Sequence, residues 1–327
     1  MTSDRYRYQS IIEQFSNENL LVIGDIMLDV YYWGKAERIS PEAPVPIVDV
    51  TSKKSNPGGA ANVALNIAEL GGKVSLMGVV GNDSTGAILT KQFKKSKINI
   101  SKLIKLNHFQ TPVKTRVIAK DQQVLRIDEE KNDLNSQNIL GKITSLLTQN
   151  LENYNGIILA DYNKGFLSTD VIKFILSEAG KLKIPVYADP KYNNFFEYKG
   201  VRFFKPNTIE FSTAMGIEFS DKEFVKNGHR LQEKLDIEIL LVTHGANGAT
   251  LFTKSKYTEI PTKTQSVHDV SGAGDTVIAT FALADLAGAT PIESANLANI
   301  AAGIVCSKVG VVPILQSDLI NLLNHDN

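Results

Sequence analysis

Residues 269–275 read Asp-Val-Ser-Gly-Ala-Gly-Asp and run directly into Thr276-Val-Ile-Ala-Thr-Phe-Ala-Leu-Ala, a small-residue helical stretch. Gly272 and Gly274 let the backbone aim several N–H groups at one spot. The helix adds its own unpaired N–H groups and the positive end of its dipole. Such a turn cradles an anion. Asp275 then places a carboxylate where anionic ligands are favoured, an arrangement suited to taking a proton from an acceptor hydroxyl beside a phosphate. The competing reading is a Gly-rich helix start that Asp275 merely caps.

Weaker signals lie elsewhere in the chain. In Asn56-Pro-Gly-Gly-Ala-Ala-Asn62, Gly58 and Gly59 allow close backbone approach to a polyhydroxylated ligand, and Asn62 can donate and accept. Gly24-Asp-Ile-Met-Leu-Asp29 sets two carboxylates just beyond an apolar run, where Asp29 suits sugar hydroxyls and a solvated turn is the alternative. In Lys205-Pro-Asn-Thr-Ile-Glu210, Asn207 and Glu210 stand at capping-box spacing. The same two residues suit the waters of a Mg²⁺ ion beside a triphosphate. Thr243-His-Gly ends another apolar run in a turn that suits a nucleotide wall, with His244 incidental. No Walker motif, dinucleotide fingerprint, serine nucleophile elbow or His-Glu-x-x-His site occurs.

These residues need a frame. Leu20-Leu-Val-Ile, Val74-Ser-Leu-Met-Gly-Val-Val, Gly156-Ile-Ile-Leu-Ala, Pro185-Val-Tyr-Ala and Glu238-Ile-Leu-Leu-Val-Thr are strands without polar alternation, as burial on both faces requires. Helical segments separate them, among them 60–70, which stops at Gly71-Gly72. The pattern predicts an α/β fold with a doubly wound, mostly parallel sheet and ligands at the carboxyl ends of its strands. Segments near 30–50 and 111–128 break it: they are Pro-rich or alternating, and predict a small inserted β-sheet lid. An apolar accessory sheet needs covering, so a homodimer through the lid is expected. Residues 128–133 read as a solvated turn, and the whole of 1–327 as one domain.

Composition sets bounds. Lys+Arg and Asp+Glu both total 35 in 327 residues, which gives no global charge for nucleic acid or an anionic membrane. Cys306 stands alone, ruling out an internal disulfide. The polar N-terminus and the lack of a long apolar run predict a cytoplasmic protein without a membrane span.

Taken together and in order, Gly58-Gly59-Ala-Ala-Asn62, Asn207-Thr-Ile-Glu210 and Asp269-Val-Ser-Gly-Ala-Gly-Asp275 resemble the ribokinase-like (PfkB) carbohydrate kinase family from Leu20 to about Pro313. Gly24-Asp-Ile-Met-Leu-Asp29, Arg38-Ile-Ser-Pro-Glu-Ala-Pro-Val-Pro46, Asp161-Tyr-Asn-Lys-Gly165 and Ala188-Asp-Pro-Lys191 resemble its D-glycero-D-manno-heptose-7-phosphate kinase branch, which serves ADP-heptose synthesis. The resemblance implies Asp275 as base, with Gly272, Ala273 and Gly274 as anion hole. It implies Asn207 and Glu210 for Mg²⁺ and ATP, with Thr243 and Gly245 beside the nucleotide. Asp29, Gly58, Gly59 and Asn62 would hold the sugar, and Asp269 a monovalent cation such as K⁺. Arg38, Lys114, Arg116, Arg126, Lys164 and Lys191 are candidates for the phosphate of a sugar phosphate substrate. The implied reaction is transfer of the γ-phosphoryl group of ATP to O1 of heptose 7-phosphate. A kinase for another acceptor (fructose, ribose or adenosine type) and a non-catalytic nucleotide- or sugar-binding regulator are the alternatives. With the chain ending at Asn327, any following nucleotidyl transfer is expected on another chain.

Overall fold

The computed structural model describes residues 2–120, 122–131, 134, 136–218, 221–254, 256–262, 270–308 and 310–325. In chain order the strands are β1 (Asn19–Gly24), β2 (Ile26–Ile39), β3 (Pro46–Gly59), β4 (Lys73–Gly81), β5 (Leu103–Leu106), β6 (Val113–Ala119), β7 (Gln122–Glu129), β8 (Gly156–Ala160), β9 (Val186–Asp189), β10 (Phe203–Phe204), β11 (Ile239–Thr243), β12 (Ala249–Thr253) and β13 (Lys256–Ile260). The helices are α1 (Thr2–Gln14), α2 (Ala60–Glu69), α3 (Ser84–Lys95), α4 (Ser136–Thr148), α5 (Thr169–Leu182), α6 (Thr208–Met215), α7 (Asp221–Leu235), α8 (Ala273–Leu286), α9 (Pro291–Cys306) and α10 (Gln316–His325).

Nine strands make one sheet in the order β13-β12-β11-β10-β9-β8-β1-β4-β5. All neighbours from β11 to β5 are parallel, and only β12 and β13 pair antiparallel. Helices cover both faces, which is why β1 lacks polar alternation. Its Leu20 and Val22 pack with residues of α2, α8 and α9, whereas Leu21 and Ile23 pack with residues of α4 and α5. Each such side chain contributes about 1.5–3 kcal/mol on burial. A Val22→Asp change would set an unpartnered carboxylate in that core. Among the described residues no helix is long and apolar enough to cross a membrane.

α8 carries the Gly-Ala-Gly-Asp segment and is fastened along its C-terminal half. Phe281 stacks on Phe203 of β10 with ring centroids 3.8 Å apart. Near its C-terminal end, Asp285 receives Arg202 Nε at 3.1 Å, Arg202 Nη2 at 2.9 Å and the Tyr187 hydroxyl at 2.7 Å.

The remaining four strands form a separate sheet ordered β3-β2-β6-β7. It is longer than the sequence predicted. The prolines at 41 and 44 occupy only the hairpin tip, so β2 and β3 extend pairing from Ile39↔Pro46 down to Ile26↔Gly59. β7 continues through Glu129, and Glu130 is ion-paired with Lys164 at 2.7 Å. The expected solvated turn therefore fails at its start, while 132 and 133 lie outside the described residues. One residue, Asp25, separates β1 of the large sheet from β2 of the small one.

Candidate active site

Gly272 (φ 81°) is the N-cap of α8, a left-handed conformation that favours glycine. A side chain there would also meet the Asn62 amide at 2.9 Å. Asp275 sits in the first turn, 5% exposed, and does not cap the helix. Its Oδ2 accepts Asn62 Nδ2 at 2.7 Å, and its Oδ1 accepts the hydroxyl of Tyr162. Burial pushes the carboxyl up to about 6; the Tyr162 and Asn62 donors pull against that, nearby Asp189 adds to it and Lys205 opposes it. Asn62 is itself held by Asn66, one helical turn on, whose Nδ2 donates to the Asn62 carbonyl at 2.8 Å. Asn66 Oδ1 in turn accepts Thr276 Oγ1 at 3.1 Å, so α2 and α8 are locked in register around the carboxylate.

The carboxyl ends of β9 and β10 supply the facing charges. Lys205 and Asp189, both buried, form an ion pair at 3.0 Å. A Cβ on Gly274 would stand 3.3 Å from the Lys205 ammonium, which places that cation against the glycine turn. Lys191 is paired with Glu210. Burial works to lower its affinity for a proton, but the charges of Asp189 and Glu210 outweigh that and raise it. Glu210 and Asn207 form the predicted capping box of α6: Glu210 N donates to Asn207 Oδ1, and Asn207 N to Glu210 Oε2, both at 2.8 Å. These groups line a cavity of about 350 Å³ that brings Lys191, Asn207, Glu210, Thr243, Gly245 and the 272–275 segment together.

On the side of the small sheet, Asp29 is buried within β2 and accepts Arg116 Nη1 at 2.5 Å. Gly58 is required beside it, since a Cβ would fall 2.1 Å from Asp29 Oδ2. Gly59 (φ 61°) closes β3 and turns the chain into α2. Lys114, level with Asp29 on β6, is partly buried, which lowers its proton affinity; Lys164 lowers it further and Asp29 opposes.

A model of the pfkB family of carbohydrate kinases matches residues 17–317. The chain belongs to that family. Two proteins named bifunctional protein HldE are similar to it. That of Pelobacter propionicus is 41% identical over 97% of this chain and 66% of its own length. That of Psychromonas ingrahamii is 42% identical over 95% and 64%. The chain thus spans about two thirds of the length of the curated relatives it matches. Among solved structures, phosphofructokinase-2 of Escherichia coli in complex with substrates and products has a TM-score of 0.79 at 17% identity, over 94% of this chain and 99% of that one. A ribokinase of Arabidopsis thaliana, complexed with ribose and ATP, has 0.74 at 18%, over 94% and 99%. Both share the ribokinase-like fold.

As a pfkB-family, ATP-dependent sugar kinase, the chain has most of its sequence-predicted site residues gathered at one end of the large sheet. Two differ. Ala273 N donates to the Val270 carbonyl at 3.2 Å, so that amide is already engaged and does not point free as expected of an anion-hole donor. Arg38 lies nine residues beyond Asp29 on β2, exposed and paired with Asp49 at 3.3 Å. At about 3.3 Å per residue, that is roughly 30 Å of strand from Asp29. Arg126 pairs with Asp128 on its own strand at 2.6 Å, but it stands opposite Arg116 and close enough to Asp29 and Lys114 to feel their charges, so it stays with that cluster. Asp269 lies outside the described residues. Among the described residues no group of three or more His, Cys, Asp and Glu gathers as a metal cluster. His244 is bonded to Thr208 and Thr250, a structural role consistent with its incidental reading.

Sequence reasoning passed over Tyr162, Asp189 and Lys205 as site residues. Asp189 ends a buried strand of the parallel sheet and Tyr162 and Lys205 follow two others, and the rule that ligands bind beyond those carboxyl ends was the available signal.

Proposed function

We propose that the chain transfers the γ-phosphoryl group of ATP to O1 of D-glycero-D-manno-heptose 7-phosphate, with Asp275 as base. The observation that carries the reading is the buried Asp275 carboxylate in the first turn of α8, beside the glycine turn and the Lys205 ammonium. A carboxyl near 6 is largely ionised at neutral pH and still basic enough to take a hydroxyl proton as the oxygen attacks phosphorus. Gly272, Gly274, the α8 dipole and Lys205 would stabilise charge spreading over the γ-phosphoryl oxygens.

ATP would occupy the cavity along Thr243 and Gly245. Magnesium keeps most of its waters and meets proteins through one or two carboxylates. Glu210 suits an outer position, since Asn207 N and Lys191 already engage its two oxygens. The ion, when bound with ATP, would neutralise charge on the β- and γ-phosphates. Asp29, Gly58, Gly59 and Asn62 would face the sugar. A phosphate at its far end would relieve the crowding of Lys114, Arg116 and Lys164, cations for which Asp29, Asp128 and Glu130 are nearby carboxylates. The similarity to HldE proteins supports the heptose over other acceptors. The exposed Leu125 and Ile127 on edge strand β7 support a homodimer through the small sheet.

The test is ADP release from Mg-ATP with heptose 7-phosphate, fructose 6-phosphate, ribose and adenosine. Selective turnover of the heptose phosphate is expected, with Asp275→Asn lowering kcat at least about 10²-fold while still binding ATP. Turnover of another acceptor would discard the heptose, and near-normal turnover by the variant would discard the base. ATP binding with no turnover of any acceptor would favour a regulator.

A further inference from the structure

Tyr162 has no part in the reaction just described, yet it holds the base. The tyrosine follows β8 in the loop 161–166, and its hydroxyl meets Oδ1 of Asp275 as Asn62 meets Oδ2. Two cations approach its ring: the ammonium nitrogens of Lys114 and Lys191 each lie 5.7 Å from the centroid. Gly59 is its neighbour, a Cβ there standing 3.5 Å from Tyr162 Cδ2, an ordinary contact distance. The ring thus touches both regions: it lines the cavity proposed for ATP and neighbours Lys114 and Gly59 of the small-sheet side.

The loop is fastened from below. Asp25, 3% exposed, accepts the backbone N–H groups of Tyr162 at 2.8 Å, Lys164 at 3.1 Å and Phe166 at 3.1 Å. A buried carboxylate is costly unless hydrogen-bonded, and these three amides are its partners. Asn163 (φ 55°) and Gly165 (φ 93°) make the sharp turns that let alternate amides reach it.

We propose, resting on the kinase reading, that Tyr162 is the positioning residue of the base: its hydroxyl fixes Oδ1 of Asp275 and leaves that oxygen's second lone pair for the acceptor hydroxyl. The phenol keeps its own proton throughout. The acceptor's proton goes to Oδ1 as the new P–O bond forms, the β–γ bridging P–O bond breaks, and ADP departs. The groups facing Asp275 are the Tyr162 hydroxyl from the loop after β8, the Asn62 amide from α2, Asp189 at the end of β9, Lys191 just beyond it, and Lys205 after β10. Tyr162 is held protonated, its phenol pushed well above the usual value by burial and then by the Asp275 charge. As a donor it favours the ionised carboxylate, so its loss must make Asp275 harder to ionise.

The experiment is a ¹³C NMR titration of aspartate carboxyls in the full chain, with the Asp275 signal assigned by its absence in Asp275→Asn. The wild-type midpoint, about 6, is expected to rise by about half a unit or more in Tyr162→Phe. Asp25, bonded to backbone, should keep its midpoint. An unchanged Asp275 midpoint in folded Tyr162→Phe protein overturns the proposal. Should the phenylalanine variant fail to fold, 3-fluorotyrosine at 162 keeps the ring and hydroxyl while strengthening the donor, and must move the midpoint down. With an accepted sugar phosphate, the acid limb of kcat/KM should move with the NMR midpoint in Tyr162→Phe. An equal loss of rate at every pH would mark a merely structural tyrosine. Failure of the kinase reading shows separately, as wild-type protein that turns over no acceptor.

Discussion

At the scale of single residues, a buried carboxylate raised to about 6 sets a function against stability. The folded protein binds the Asp275 proton more tightly than the unfolded chain, whose carboxyl titrates near 3.8. The favourable contribution is therefore present below the unfolded value and is lost as pH rises through about 6. Comparing wild type with Asp275→Asn by urea unfolding from pH 4 to 7, the variant should gain on wild type by about 2 kcal/mol across the range. A difference that stays constant with pH would show that the carboxyl is not perturbed. Asp275 was legible because its chemistry and its helix start are adjacent in sequence. Tyr162, Asp189 and Lys205 were harder to see: each reaches Asp275 across the sheet from a different strand end, and no local pattern encodes that convergence.

At the scale of elements, strand–helix alternation carried most of the fold, because a strand covered on both faces must be apolar at every position. The same reasoning could not say how far along a strand a residue lies. Asp29 and Arg38 both flank apolar positions in sequence, but only the pairing of β2 with β6 decides that one meets Arg116 and the other only its neighbour Asp49. Residues 207–210 pose the opposite case, a motif whose structural and ligand-binding readings use the same atoms. Asn207→Ala removes the acceptor for Glu210 N and should cost about 1 kcal/mol in chemical unfolding. If Asn207 also serves the nucleotide, KM for ATP should rise several-fold in the same variant. Lost stability with an unchanged KM would leave only the cap.

At the scale of the whole molecule, the small sheet projects from the large one with Leu125 and Ile127 52% and 45% exposed on an edge strand. Sedimentation velocity should give a dimer for wild type and a monomer for Leu125→Lys combined with Ile127→Lys, both folded by circular dichroism. A wild-type monomer at micromolar concentration would remove the homodimer. The junction of the two sheets has a mechanical consequence. β2 is 14 residues long, a lever of about 46 Å at about 3.3 Å per residue. Asp25, the single residue between the two sheets, is where such a lever would have its fulcrum. A tilt of about 5° there sweeps the far tip through roughly 4 Å. The fulcrum also grips both arms of the clamp on Asp275, since its carboxylate takes the Tyr162 amide and its carbonyl takes the first amide of α2, two residues before Asn62. Torque applied at the tip would thereby be geared down onto the two donors on Asp275.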